Sequence, residues 1–242
     1  MSNSTTKKEG QGDYQLIRLP ATDGGQEIVL EADLNIPRNG HGIVIFAHGS
    51  GSSRHSPRNR YVAQVLQNEG VATLLIDLLT EQEEEIDTQT RHLRFDIGLL
   101  SQRLSAVTYW LNQKLENMNF KIGYFGASTG AAAAIVAAAE RPNTINAIVS
   151  RGGRPDLAGV DNLHKVQIPT LLIVGGNDVP VIDLNKQALE KMRSLKEFKS
   201  DDTEIRKKKL VIIPGATHLF EEPGKLEEVA RIATNWFAKY LK

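Results

Sequence analysis

The pentapeptide Gly126-Ala127-Ser128-Thr129-Gly130 has the pattern G-x-S-x-G. It follows the apolar run Lys121 to Phe125 and leads into the helix-forming stretch Ala131 to Glu140. A serine on a sharp strand-to-helix turn is held in a strained backbone conformation, and the turn avoids clashes only if the residues two before and two after are small. Both are glycine here, so Ser128 is a candidate nucleophile. The competing reading is an N-capping serine at an ordinary turn. What separates the two is whether an acid and a histidine appear at the ends of later strands.

They do. Thr170 to Val174 runs into Gly175-Gly176-Asn177-Asp178, and Lys209 to Ile213 runs into Pro214-Gly215-Ala216-Thr217-His218. The chain order is therefore serine, aspartate, histidine. In that constellation Ser128 attacks a carbonyl, His218 takes its proton and returns it to the leaving group, and Asp178 fixes the imidazole tautomer and stabilises its cation. Asn177 is the weaker neighbour for the acid role. The tetrahedral oxyanion needs donors, and two backbone N–H groups are nominated: Thr129, just after the nucleophile, and Ser50 in the loop His48-Gly49-Ser50-Gly51-Ser52-Ser53. His48 is expected to shape that loop through hydrogen bonds rather than act as a base. Asp77, at another strand end, is expected to anchor a loop through backbone hydrogen bonds.

Arg54, Arg151 and Arg154 fall at the same edge. A guanidinium there can hold a substrate carboxylate with two parallel hydrogen bonds, although a surface ion pair is the simpler reading of each. They predict a weak preference for acid-bearing substrates. His41, His55, His92 and His164 are too scattered for a metal cluster, so neither a metal nor a cofactor is expected.

Positioning these groups requires a sheet whose strand ends line up. Gln15 to Leu19 and Glu27 to Leu34, joined by Asp23-Gly24-Gly25, read as an antiparallel hairpin. Gly42 to Ala47, Val71 to Ile76, Lys121 to Phe125, Ala147 to Ser150, Thr170 to Val174 and Lys209 to Ile213 are short, apolar and β-branched, as buried parallel strands are. Helical patterns alternate with them. The clearest places Leu93, Ile97, Leu100, Leu104, Val107 and Leu111 on one face, and a C-terminal one does the same with Leu226, Val229, Ala233, Trp236 and Tyr240, with Pro223 at its first turn. Arg58 to Glu69 and Leu184 to Leu195 are shorter candidates. The four alanines Ala131 to Ala134 suit close helix-to-sheet packing. The charge-dense stretches Glu81 to Asp87 and Lys191 to Lys209 read as solvated loops and helix faces. The class is α/β: eight strands, mostly parallel, helices on both faces, one domain over 13–242 behind a disordered tail, Met1 to Gly12.

Composition narrows the rest. With 29 basic and 29 acidic residues the net charge is zero, so no global field attracts nucleic acid or an anionic membrane. There is no cysteine, which removes disulfides, thiolate metal sites and a cysteine nucleophile. The N-terminus lacks the apolar core of a secretory signal, and no apolar run approaches the roughly 20 residues of a membrane span. A cytoplasmic protein acting on a small-molecule acyl substrate is expected; oligomeric state is not legible. Neither a G-x-x-x-x-G-K-[ST] loop nor a G-x-G-x-x-G fingerprint follows the first parallel strand, which argues against nucleotide binding.

Strand order, elbow, acid, histidine and oxyanion loop together resemble the α/β-hydrolase superfamily over about residues 13–242. With only about twenty residues, Arg151 to Pro169, between the sixth and seventh strands, the layout is most similar to the dienelactone hydrolase family, which implies no large lid. That family's namesake uses cysteine where this chain has Ser128, so the resemblance implies acyl hydrolysis rather than dienelactone as the substrate. The expectation is a serine hydrolase cleaving an ester, lactone or thioester through an acyl-enzyme. A peptidase or acyltransferase on the same triad, or a non-catalytic ligand-binding module of the same fold, are the alternatives.

Overall fold

A computed structural model describes residues 13–19, 28–193 and 207–242. Its centre is one sheet of eight strands in the order β1-β2-β4-β3-β5-β6-β7-β8. These are β1 (Asp13–Leu19), β2 (Ile28–Asn35), β3 (Ile43–Ala47), β4 (Ala72–Ile76), β5 (Ile122–Ala127), β6 (Ile145–Arg151), β7 (Thr170–Gly175) and β8 (Lys208–Ile213). β1 and β2 are antiparallel, β2 joins β4 antiparallel, and every later pairing is parallel. The hairpin and the parallel strands thus match the expectation, while the turn Asp23-Gly24-Gly25 and the tail Met1 to Gly12 lie outside the described residues.

The central strands β3, β4, β5 and β7 are buried at every residue, because helices cover both faces. On one face α1 (Pro57–Asn68) and α7 (Lys225–Tyr240) place Val62, Leu66, Val229 and Phe237 against Phe46, Phe125 and Val149. On the other, α3 (Ile97–Lys114) and α4 (Thr129–Glu140) place Leu104, Leu111, Ala133 and Ile135 against Ile45, Leu74 and Ile148. α2 (Glu81–Thr90), α5 (Val160–Lys165) and α6 (Val179–Arg193) complete the α-helices among the described residues. Ala131 to Ala134 are all fully buried, so small side chains do bring α4 close to the sheet.

Several boundaries differ from the sequence reading, each for a local reason. Leu93 does not start α3: it lies in a separate short 3₁₀ turn, and the Asp96 carboxylate caps the helix by accepting the Leu99 N–H at 2.9 Å. Pro223 precedes α7 instead of opening it, because Gly224 caps the helix at φ +78°. α6 begins at Val179, directly after Asp178, and Leu195 falls outside the described residues. Glu81 to Asp87 is not simply a solvated stretch. It forms α2, opened by a reciprocal Thr80–Glu83 cap, and Asp87 is fully buried. Arg151 is the last residue of β6 rather than the first of a loop, and it is buried too.

Candidate active site

Every group singled out for chemistry sits at the carboxyl edge of the sheet. Ser128 follows the last residue of β5 and precedes the first of α4, at φ 50°, ψ −119°. That conformation is unfavourable for any residue with a Cβ, by about 1–3 kcal/mol, and the surrounding bonds impose it. The Ser128 N–H donates to the Arg151 carbonyl at 3.3 Å, and the Ser128 carbonyl accepts from Ala131 and Arg154 N–H, each at 3.1 Å. The flanking glycines are required by close approach. A Cβ at Gly126 would stand 2.4 Å from Ala131 Cα, and one at Gly130 would stand 2.3 Å from the Ala47 carbonyl oxygen. Ser128 is partly exposed, while Ala127 before it and Thr129 after it are buried.

Asp178 and His218 meet across the ends of β7 and β8. His218 Nδ1 and Asp178 Oδ2 are 2.6 Å apart, with the carboxylate 15 % and the ring 40 % exposed. Backbone bonds tie the two loops together, from Gly176 N–H to Ile213 O at 2.8 Å and from Asn177 N–H to Ala216 O at 2.9 Å. Asn177 itself is exposed and its amide caps the Gly215 carbonyl. The imidazole also lies beside the elbow. A Cβ at Gly152 would be 3.5 Å from His218 Cε1, and Gly152 directly follows Arg151, the residue that accepts the Ser128 N–H. Serine, imidazole and carboxylate therefore border one edge, although no Ser128–His218 hydrogen bond is formed. Such bonds are often long before substrate arrives.

The loop after β3 is clamped from several sides. The Leu78 N–H donates to His48 Nε2 at 3.1 Å and His48 Nδ1 lies 3.0 Å from the Gly49 carbonyl, which assigns the proton to Nδ1. Asp77 accepts the Arg54 N–H at 2.6 Å and a second bond from the Arg54 guanidinium. Thr129 N–H, in the first turn of α4, and Ser50 N–H have no protein acceptor among the described residues. Beneath this loop, buried Asp87 accepts from Leu93 and Arg94, and Arg94 Nη1 would lie 3.2 Å from a Cβ on Gly51. Sequence reasoning missed this brace, since a carboxylate in a run of glutamates carries no sign of burial. It missed Asn185 as well, which is fully buried and donates to Gly153 O at 3.0 Å, holding the loop after β6.

The three arginines fare differently. Arg54 is engaged by Asp77, Glu31 and Asp33; burial works against its charge, but these carboxylates hold its pKa above the ordinary value. Arg154 forms two bonds with Asp156, at 2.9 and 2.8 Å, which likewise raise its pKa. Both are therefore held in ion pairs. Arg151 is the exception, with no carboxylate partner among the described residues. A cleft of about 810 Å³ adjoins Gly51 to Arg54 in the loop after β3 and is lined also by Glu81, Glu84 and Glu85 of α2.

An eight-stranded sheet with an elbow serine after its fifth strand and a histidine–carboxylate pair at its last two strand ends is the architecture of an α/β hydrolase. The chain belongs to the dienelactone hydrolase family, whose family model matches residues 30–241. It is similar to a crystal structure of a dienelactone hydrolase from Anabaena variabilis, at 56 % identity and a TM-score of 0.84, covering 96 % of this chain and all of that one. Est1E from Butyrivibrio proteoclasticus shares the fold at 18 % identity and a TM-score of 0.67, over 93 % of this chain and 98 % of its own. Proteins of Mycobacterium tuberculosis, provisionally named phosphoribosyl transferases, are 53 % identical over 208 residues. That match covers 86 % of this chain but 43 % of theirs, so the chain spans less than half the length of these relatives. No helix among the described residues is long and apolar enough to cross a membrane.

Proposed function

We propose that the protein is a serine hydrolase that cleaves an ester, lactone or thioester of a small acyl substrate through an acyl-enzyme. The observation that carries this reading is the 2.6 Å contact between His218 Nδ1 and Asp178 at the edge where the strained elbow presents Ser128. With its Nδ1–H given to the carboxylate, the ring keeps Nε2 as a free base. His218 removes the Ser128 proton as Oγ attacks the carbonyl carbon, and the oxyanion is received by Thr129 and Ser50 N–H. The imidazolium then protonates the leaving group. Water, deprotonated in turn by His218, attacks the acyl-enzyme and restores Ser128. Membership of a hydrolase family and likeness to a dienelactone hydrolase support this chemistry. The phosphoribosyl transferase name belongs, on this reading, to the part of the mycobacterial proteins that the chain does not match.

The test is labelling by a fluorophosphonate together with turnover of a small activated ester such as p-nitrophenyl acetate. Wild type should do both, and Ser128→Ala should lose labelling and about 10⁴-fold or more of turnover. Equal labelling and turnover in the variant would overturn the assignment. A folded wild type inert to both reagents would favour a ligand-binding module.

A further inference from the structure

The carboxylates of α2 divide between two sides of the helix. Glu83 and Asp87, four residues apart, tie it to the molecule: Glu83 accepts from Arg103 at 2.7 Å and closes the cap with Thr80, and Asp87 takes Arg94. Glu81, Glu84 and Glu85 stand at spacings of three and four, which groups them on the opposite side. These three line the cleft of about 810 Å³ and pair with no cation among the described residues. Glu31 of β2 and Asp77 after β4 line it too. Arg54 is the one cation among the lining residues, and Asp77 and Glu31 already hold it, so five carboxylates meet one guanidinium. In a chain of zero net charge this is a local excess of negative charge. The helix dipole accounts for Glu81 and Glu84 in the first turn, but not for Glu85 beyond it, where like charges at these spacings weaken the helix that carries them.

The cleft also reaches towards the elbow. A void of about 10 Å³, room for about one water-sized group, shares His48, Gly51, Leu79 and Glu84 with the cleft and extends to Ser50 and Thr129. Thr129 is 2 % exposed, and its hydroxyl has no hydrogen-bond partner among the described residues, so a polar group borders this space that the fold itself leaves unsatisfied. The lining narrows the occupant. No Phe, Tyr or Trp lines the cleft to cage a quaternary cation, and no three acidic or histidine side chains among the described residues are placed to hold a metal ion. Carboxylates spread along one side of a helix suit an organic cation that brings its own N–H donors.

We propose that the cleft between α2 and the loop after β3 receives an ammonium group of the substrate, held by Glu81, Glu84 and Glu85, a few bonds from the carbonyl that Ser128 attacks. The location in the reaction rests on the serine-hydrolase reading; the binding does not.

Two pairs of esters decide it. In one, p-nitrophenyl esters carry an acyl chain ending in dimethylammonium or in its neutral isopropyl isostere; in the other, thioacetates carry the same two ends on the leaving thiol. The chain has no cysteine, so released thiol is counted without background. Wild type should favour the cationic member of at least one pair by about tenfold in kcat/KM, equivalent to about 1.4 kcal/mol, and the preferred pair shows which side of the scissile bond enters the cleft. High salt should shrink the preference. Glu81→Gln combined with Glu85→Gln, both at exposed positions, should bring the ratio towards one, and Glu84→Gln should do the same. Glu190→Gln, an exposed carboxylate on α6, lowers the negative charge of the chain without touching the cleft and should keep the ratio. Thermal unfolding in ethylammonium chloride, against sodium chloride at equal ionic strength, supplies a readout that needs no turnover: the wild-type midpoint should rise and that of the double variant should not. Where wild type cleaves esters, the rates decide. Equal rates within both pairs, or a preference that the cleft variants leave intact, overturn the site. A wild type that shows the rise but cleaves no ester overturns the hydrolase reading and keeps the site; one that shows neither overturns both.

Discussion

On the proposed mechanism, Ser128 carries its function and a folding cost in the same atoms. The conformation at φ 50°, ψ −119° is one a glycine would occupy with far less strain. Ser128→Gly should therefore abolish ester turnover while raising stability by about 1 kcal/mol, read as a higher urea midpoint at unchanged slope. A variant less stable than wild type would show that the elbow is not strained. The residue was conspicuous in the sequence because its constraints are local: the two glycines are needed for contacts with Ala131 and Ala47, which belong to the helix just after the turn and the strand beside it. Arg54 and Arg151 were not separable in the same way. Both read as arginines at a strand edge, yet Arg54 faces Glu31, Asp33 and Asp77 from two other strands and their ends, whereas Arg151 turns inward to Asn59.

At the level of elements, the loop after β3 is held from below by α2 and the turn after it. Asp87 is the joint: burial would raise its pKa, but hydrogen bonds from Arg94 and Leu93 more than reverse this and hold it below the usual carboxylate value. A carboxylate with a depressed folded pKa contributes stability that is fully present above its unfolded pKa, about 3.9, and lost as pH falls through the folded value. Asp87→Asn should thus cost about 1–3 kcal/mol at pH 7, with the gap to wild type narrowing below about pH 4, as measured by urea unfolding at both pH values. A gap independent of pH would mean that the charge of Asp87 is not what holds the joint. The helices taught the same lesson in reverse. The spacing of Leu100, Leu104, Val107 and Leu111 shows a helix because side chains on one face recur every three or four residues. Its start was misplaced by one turn, because Leu93 continues the periodicity and only the cap at Asp96 interrupts it.

For the molecule as a whole, neutrality has a kinetic consequence. With 29 basic and 29 acidic residues there is no net field to steer a substrate. Turnover of a neutral ester should change by less than about twofold between 0.02 and 0.5 M salt, conditions that alter the Debye length severalfold. A steep dependence in steady-state kinetics would reveal a local field that the balance of charges conceals. The sequence alone determined the α/β class, the order of serine, acid and histidine, and the edge at which they gather. These follow from runs of buried β-branched residues and from strand ends that a parallel sheet must align. It could not determine which charges meet. Asp87 with Arg94, the triple claim on Arg54 and the solitary burial of Arg151 depend on how separate segments pack, and charge pairing is set by distance in space, which no local pattern encodes. Tertiary structure decided that of three arginines at one edge, a single one has no carboxylate partner among the described residues.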